Sequence, residues 1–179
     1  MDDKELNKKL KHNDKNALKY LFDVYHEGLF RYALKIILNN EAAEEIVQDI
    51  FISIWRKRNE SEIENFKYYL LKAVKFRCIN YIKEQVRNAE KTEDYFLADN
   101  TEKNTPQHIL EGKELATTIE EAINRLPEKC RVIFTLSRNA ELSYKEIAAE
   151  LNISIKTVEN QIGIALKKLR EMLKEYENI

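Results

Sequence analysis

The side chains best suited to chemistry in this sequence of 179 residues are amides and amines clustered in the segment IKTVENQI (155–162). Asn and Gln can form two hydrogen bonds with the edge of adenine, and Lys can donate to guanine. If the segment is helical, these groups share its outward side near the N-terminus. We therefore predict a surface that contacts DNA bases, formed by Lys156, Thr157, Glu159, Asn160 and Gln161.

The sequence around this segment predicts two helices joined by a tight corner. Ser143 and Glu146 have the spacing of a capping box, in which each side chain satisfies a free backbone N–H group. Asn152 belongs to the residue types that tolerate the left-handed conformation, and Ser154 can cap the second helix. We expect Val158, Ile162, Leu166 and Leu169 to face inward.

Further polar groups near this corner suit the phosphate backbone, which positions a protein on DNA without carrying sequence information. The predicted phosphate contacts are Ser143, Tyr144 and Lys145 at the first helix and Lys167, Lys168 and Arg170 on the second. An ordinary helical hairpin with a solvated polar face is the alternative. The small pair Ala148-Ala149 and Asn152 favour the DNA-binding motif, whereas the carboxylate of Glu159 would repel phosphate.

A second candidate surface lies in NFKYYLLKAVKFRCINYIK (65–83), which holds five basic residues and no acidic one. Phe66, Tyr68, Tyr69, Phe76 and Tyr81 are interleaved with the cations. Cations follow a nucleic-acid backbone, while aromatic rings stack on unpaired bases. An amphipathic helix with its aromatics in the core is the alternative. The predicted single-strand contacts are Lys67, Lys72, Lys75, Phe76, Asn80 and Lys83.

An acidic cluster precedes this surface in AAEEIVQDIFISIW (42–55). Glu45, Gln48 and Asp49 fall one helical turn apart, outside an apolar stripe. A solubilising face is the simple interpretation. The functional one is a dock for a basic protein surface, since such a cluster would repel DNA.

The wider pattern predicts an all-α chain of two small domains. Apolar spacings of three and four residues indicate helices over about 16–38, 41–57 and 66–83, which would form a three- to four-helix bundle in residues 1–84. Residues 85–112 lose this periodicity and are predicted to be an acidic linker. Residues 113–179 are predicted to form a four-helix domain that contains the helix-turn-helix.

The composition argues against several other classes of protein. Cys78 and Cys130 are far apart and lack CxxC partners, so neither a disulfide scaffold nor a zinc site is expected. The charged first thirty residues and the lack of long apolar runs predict neither export nor membrane insertion. Asp23 and His26 form a lone ligand-spaced pair, and we find no nucleophile beside a base. We expect no metal, no cofactor and no catalysis.

The chain resembles the extracytoplasmic-function (ECF) group of sigma factors in the sigma-70 superfamily. The resemblance is carried by AEEIVQDIFISIWRKR (43–58), NFKYYLLKAVKFRCINYIKE (65–84) and LPEKCRVIFTLSRNAELSYKEIAAELNISIKTVENQI (126–162). In order, these segments are similar to the second and fourth regions of that family.

The resemblance implies a function in transcription initiation in the cytoplasm, in association with the nucleoid through RNA polymerase. The helix at 41–57 would dock on the β′ clamp helices of core polymerase through Glu45, Gln48, Asp49 and Trp55. Residues 58–65 and the following helix would recognise and melt the −10 element. The C-terminal domain would bind the β flap and recognise the −35 element of promoter DNA. An anti-sigma factor is a further implied partner.

The strongest rival is a regulator of the response-regulator type, because ISIKTVENQI also resembles the recognition helix of that output domain. Such a protein would bind DNA on its own and begin with alternating strands and helices. Residues 1–84 show helical periodicity instead. The formal net charge of −1 also fits a subunit that borrows phosphate attraction from a larger complex better than a repressor acting alone.

Overall fold

The computed structural model describes residues 1–60, 62–91 and 114–174, and every regular element in these ranges is an α-helix. This architecture confirms the predicted all-α class. Contacts divide the chain into two compact units, Met1–Ile82 and Lys83–Ile179. In chain order the helices are α1 (Asp3–Lys11), α2 (Lys15–Ile37), α3 (Asn40–Lys57), α4 (Phe66–Lys91), α5 (Glu114–Asn124), α6 (Glu128–Arg138), α7 (Tyr144–Leu151) and α8 (Ile155–Lys174).

Helix α1 is an addition to the sequence prediction, which began the helical part of the chain at Asn16. Asp2 caps the helix by accepting the Glu5 N–H at 2.7 Å. Leu6 and Leu10, one turn apart, are both buried against the first unit. These two leucines stand among charged residues, so the apolar pattern is too short to identify a helix by periodicity. The cap and the leucine pair together were the available signal.

Helix α4 supplies the first unit with a ridge of buried side chains. Every fourth residue points inward, and the first four members of the ridge have no exposed surface. The ridge comprises Phe66, Leu70, Val74, Cys78 and Ile82. The ring of Phe66, one of the five interleaved aromatics, therefore belongs to the core and is not available to stack on bases.

The same helix is longer than its apolar pattern. We predicted its end near Lys83, whereas it continues to Lys91, into the segment assigned to the acidic linker. Residues 84–91 are mostly charged and amide side chains, several of which have good helix propensity without needing a buried face. The end of the apolar stripe thus did not mark the end of the helix. Residues 92–112, the rest of the predicted linker, lie outside the described residues.

The corner between α7 and α8 follows the predicted local chemistry. Ser143 and Glu146 form the capping box, and Asn152 has left-handed dihedral angles of φ 52° and ψ 45°. The Ile153 N–H then donates to the Ala148 carbonyl at 3.0 Å and closes the turn. One inward assignment on α8 is wrong: Leu166 is exposed, and the adjacent Ala165 takes the buried position between Ile162 and Leu169.

Gly28, in the middle of α2, allows a direct test of its own surroundings in the helix. A Cβ added there would meet no atom within 4 Å, and its φ is not positive. We expect Gly28→Ala to raise the free energy of unfolding by about 0.4–1 kcal/mol, because the unfolded chain loses backbone freedom. Urea unfolding followed by circular dichroism measures the change.

The opposite-sign control is Gly28→Pro, which removes an amide donor from the helix interior and costs about 3 kcal/mol or more. A Gly28→Ala protein with an unchanged or lower urea midpoint would contradict the open surroundings described for Gly28.

Candidate nucleic-acid interface

The N-terminal turn of α8 is organised by Ser154. The Thr157 N–H donates to the Ser154 Oγ at 3.0 Å, and the two hydroxyl oxygens lie 2.8 Å apart. The Thr157 hydroxyl is therefore part of the helix cap and only half accessible. Lys156 and Asn160, one turn apart, are exposed on the side opposite the buried residues. These two side chains are the ones best placed to reach a base edge.

Glu159 does not stand alone on this surface. Its Oε2 lies 3.3 Å from Lys156 Nζ, in an exposed pair spaced i,i+3. Such exposed pairs contribute only about 0.2–1 kcal/mol. The pair reduces the repulsion that Glu159 would exert on phosphate, and DNA can replace the carboxylate as the partner of Lys156 at little cost.

Gln161 is held on the inner flank of α8 by a residue that the sequence did not link to it. Cys130 Sγ of α6 donates to Gln161 Oε1 at 2.9 Å. Burial raises the pKa of the Cys130 thiol, while nearby Lys168 acts in the opposite direction, so the group stays a protonated donor at neutral pH. With its oxygen engaged, Gln161 presents mainly its NH₂ group. It is half-buried and does not share the outward face of Lys156 and Asn160.

The predicted phosphate contacts divide into free and engaged groups. Tyr144, Lys145, Lys167 and Lys168 are exposed. Ser143, in contrast, is bound within the capping box: its N–H donates to Glu146 Oε2 at 2.8 Å and its hydroxyl to the same oxygen at 2.6 Å. Ser143 therefore shapes the start of α7 rather than offering a free donor.

Helix α4 presents two large aromatic side chains to solvent. Tyr68 is 67% exposed and Phe76 is 63% exposed, and Lys72 Nζ lies 6.0 Å from the centre of the Tyr68 ring. The two rings are eight residues apart, or about 12 Å along the helix. Exposed ring faces of this kind can stack on unpaired bases.

The cations predicted around these rings are accessible to different degrees. Lys72, Asn80 and Lys83 are exposed and Lys75 is half-buried. Lys67 is exposed too, but it lies five residues before Lys72, which is about 140° away around the helix. The structure thus groups the predicted single-strand residues along one side of α4, with Lys67 apart from the others.

The acidic cluster on α3 is paired with groups that sequence reasoning missed. Asp49 Oδ2 lies 2.8 Å from Arg77 Nη1 of α4. Gln48 Nε2 donates to Glu44 Oε1 at 2.7 Å, and His26 Nε2 lies 3.0 Å from the same oxygen. The Gln48 hydrogen bond is the largest cause that lowers the Glu44 pKa.

The other two predicted docking residues differ in their surroundings. Glu45 is exposed on α3. Trp55 is half-buried, and the guanidinium of Arg58 stacks 4.4 Å from the centre of its ring. The two residues are ten positions apart, nearly three helical turns, so any partner that contacts both must run along much of α3.

Two family models match the chain in order. The model described as "Sigma-70 region 2" matches residues 21–88, and the model described as "Sigma-70, region 4" matches residues 116–169. Together they cover most of both helical units and contain every surface described in this subsection.

The chain belongs to the sigma-70 family.

Curated relatives of this sigma factor belong to the ECF group. It is 27% identical over 183 residues to the ECF RNA polymerase sigma factor SigW of Bacillus subtilis, covering 94% of this chain and 95% of that protein. It is 25% identical to the ECF RNA polymerase sigma factor RpoE of Cereibacter sphaeroides, covering 89% and 88%. RpoE in a co-crystal structure with the anti-sigma factor NepR from Bartonella quintana aligns with 90% of the chain at 21% identity, with a TM-score of 0.44.

The function of this sigma factor is transcription initiation with RNA polymerase, as an ECF member of its family. The rival interpretation as a response-regulator-type protein is not favoured, since all regular structure described within residues 1–84 is helical. Over the same described ranges, no helix combines the length and apolar character needed to cross a bilayer.

Proposed function

We propose that residues 1–84 dock on core polymerase and open the −10 element, and that residues 113–179 recognise the −35 element, with residues 85–112 connecting them. The observation that carries this proposal is the match to both sigma-70 regions, in order, on two separate helical units. Two small helical units can contact promoter elements on different turns of DNA. One compact domain of this size would not span the distance between those elements.

The exposed side of α4 is the proposed contact for the −10 strand. Tyr68 and Phe76 offer ring faces for unpaired bases, and Lys72, Lys75 and Lys83 follow the backbone. Asn80 adds a group that can both donate and accept hydrogen bonds. Lys67, on another side of the helix, is assigned to backbone contact outside this stack.

On the second unit, Lys156 and Asn160 are the proposed principal base contacts. They are flanked by Thr157, Glu159 and Gln161. The Thr157 hydroxyl and the Gln161 carbonyl oxygen already have partners within the protein, so these two side chains can form fewer hydrogen bonds with DNA. Lys145, Lys167 and Lys168 are assigned to phosphates.

The docking surface for the β′ clamp helices is proposed along α3, through Glu45, Gln48, Asp49 and Trp55. The Asp49–Arg77 pair is surface-exposed, so its loss costs little and a basic partner can replace Arg77. The β flap is the proposed partner of the second unit. We also infer that an anti-sigma factor regulates the protein, that it works in the cytoplasm on the nucleoid, and that it acts without catalysis or a cofactor.

The proposal is tested by selecting promoter fragments from a genomic library with core polymerase plus the protein, and in parallel with the protein alone. The bound fragments are then sequenced. We expect two separated sequence blocks in the first pool and no enrichment in the second. One block enriched by the protein alone would support the response-regulator alternative instead.

Asn160→Ala is expected to relax the base preference at one position of the −35 block. A bidentate amide–base contact is worth about 1–3 kcal/mol of discrimination, and alanine removes both of its hydrogen bonds. Competitive binding of the polymerase complex to single-base promoter variants measures the preference.

Lys167→Ala is the matched control on the same helix. We expect it to weaken binding to all these promoters about equally, because a phosphate contact carries no sequence information. Unchanged preferences in Asn160→Ala would contradict the assignment of Asn160 to the base-reading face.

A further inference from the structure

The connection between α3 and α4, residues 58–65, is tied to the start of the chain by a side chain that imitates backbone pairing. Asn7 Nδ2 of α1 donates to the Ile63 carbonyl at 2.8 Å, and the Ile63 N–H donates to Asn7 Oδ1 at 3.1 Å. One amide side chain thus satisfies both backbone groups of one residue, as a neighbouring β-strand would. These contacts join residues 56 positions apart.

The amide of Asn7 is itself held in place. Its Nδ2 also donates to the Asp3 carbonyl at 2.8 Å, within α1. The helix is anchored on the unit by Leu6 and Leu10, which are 1% and 2% exposed. Asn7 is therefore fixed from both sides, through the helix backbone and through the packing of that helix, before it reaches the connection.

Two further contacts join the same pair of segments. Lys11 Nζ lies 2.6 Å from Glu62 Oε1. Arg58 Nε donates at 2.8 Å to Oδ1 of Asn13, which follows α1 with a φ of 60°. The Lys11 pair is exposed and weak, whereas the Asn7 pair is partly buried and fixes backbone. Asn7 is thus the contact that fixes the backbone at Ile63.

We propose that Asn7 is a positioning residue for −10 recognition, because it fixes the backbone at Ile63 in the connection that leads into α4. This rests on the proposed function of residues 58–84. The connection ends at Asn65, which caps α4 by accepting the Tyr68 N–H at 2.8 Å. Ile63 lies two residues before this cap. Fixing the backbone at Ile63 therefore also positions the chain that enters α4, the helix that carries Tyr68 and Phe76.

The test uses the full-length protein with core polymerase, on a promoter and its single-base −10 variants. Asn7→Ala removes both hydrogen bonds to Ile63. Asn7→Asp keeps the shape and the acceptor but loses the donor, and sets a carboxylate against the Ile63 carbonyl. Ala33→Gly, buried in α2 of the same unit, is a control that lowers stability without touching the connection. Thermal unfolding shows that each variant is folded.

We expect both Asn7 variants to lose selectivity: a −10 base pair that the wild-type protein discriminates by roughly fivefold or more is discriminated by about twofold or less. We expect Ala33→Gly to lower transcription from all templates by the same factor, so that the ratios between the promoter and its −10 variants stay unchanged. The Asn7 variants would give the same result if Asn7 had a purely structural role. Wild-type ratios in both Asn7 variants would overturn this inference alone. No −10 preference in the wild-type protein would overturn the proposed function, and this inference with it.

Discussion

Adding core RNA polymerase is expected to tighten the binding of this protein to promoter DNA by about 10³-fold or more, the usual gap between non-specific and specific binding. The whole chain has a formal net charge of −1. Its cations are divided between the two units. Affinity for DNA depends on the number of phosphates that Lys and Arg side chains neutralise. Neither unit alone carries enough cations for tight binding.

Fluorescence anisotropy of a labelled promoter fragment at physiological salt measures this difference, with the protein alone and with increasing core polymerase. We expect dissociation constants of about 10⁻⁶ M or weaker for the protein alone. A scrambled fragment is the control for specificity. Nanomolar, promoter-specific binding by the isolated protein would contradict the account and return the response-regulator alternative.

The double variant Tyr68→Ala/Phe76→Ala is expected to reduce promoter opening by about 30-fold or more, because each ring that stacks on a base contributes roughly 1–3 kcal/mol. Both side chains are more than half exposed on α4, so their removal leaves the buried ridge of that helix intact. We therefore expect little change in stability or in affinity for core polymerase.

Permanganate reactivity of unpaired thymines in the −10 element measures opening. Tyr20→Ala is the matched control, since Tyr20 is an exposed aromatic of α2 outside the proposed strand contact. If the double variant opens the promoter as well as Tyr20→Ala does, the exposed aromatics of α4 do not capture bases.

The helix-turn-helix could be predicted because its signals are local. The capping box of Ser143 and the left-handed Asn152 are separated from the groups that they affect by a few residues, and both occur as expected. The sequence could not show that Ala165, rather than Leu166, is buried in the core. Both neighbouring positions satisfy the helical period, and only packing against other helices selects one of them.

The features that sequence reasoning missed depend on contacts between distant residues. The Asn7–Ile63 pair joins residues 56 positions apart, and the Cys130–Gln161 hydrogen bond joins residues 31 apart. Neither produces a period or a motif. The position of Phe66 is a similar case: composition shows an aromatic beside lysines, and only the packing of α4 places its ring in the core.

The central claim is that two helical units recognise separate promoter elements as one subunit of RNA polymerase. RNA synthesis from a promoter recovered in the selection tests it most directly, with core polymerase alone, the protein alone and the two combined. The account predicts RNA chains from one start point in the combined reaction only, and their loss when either promoter element is scrambled. If core polymerase starts no RNA with this protein, or starts equally well on the scrambled templates, the account is contradicted.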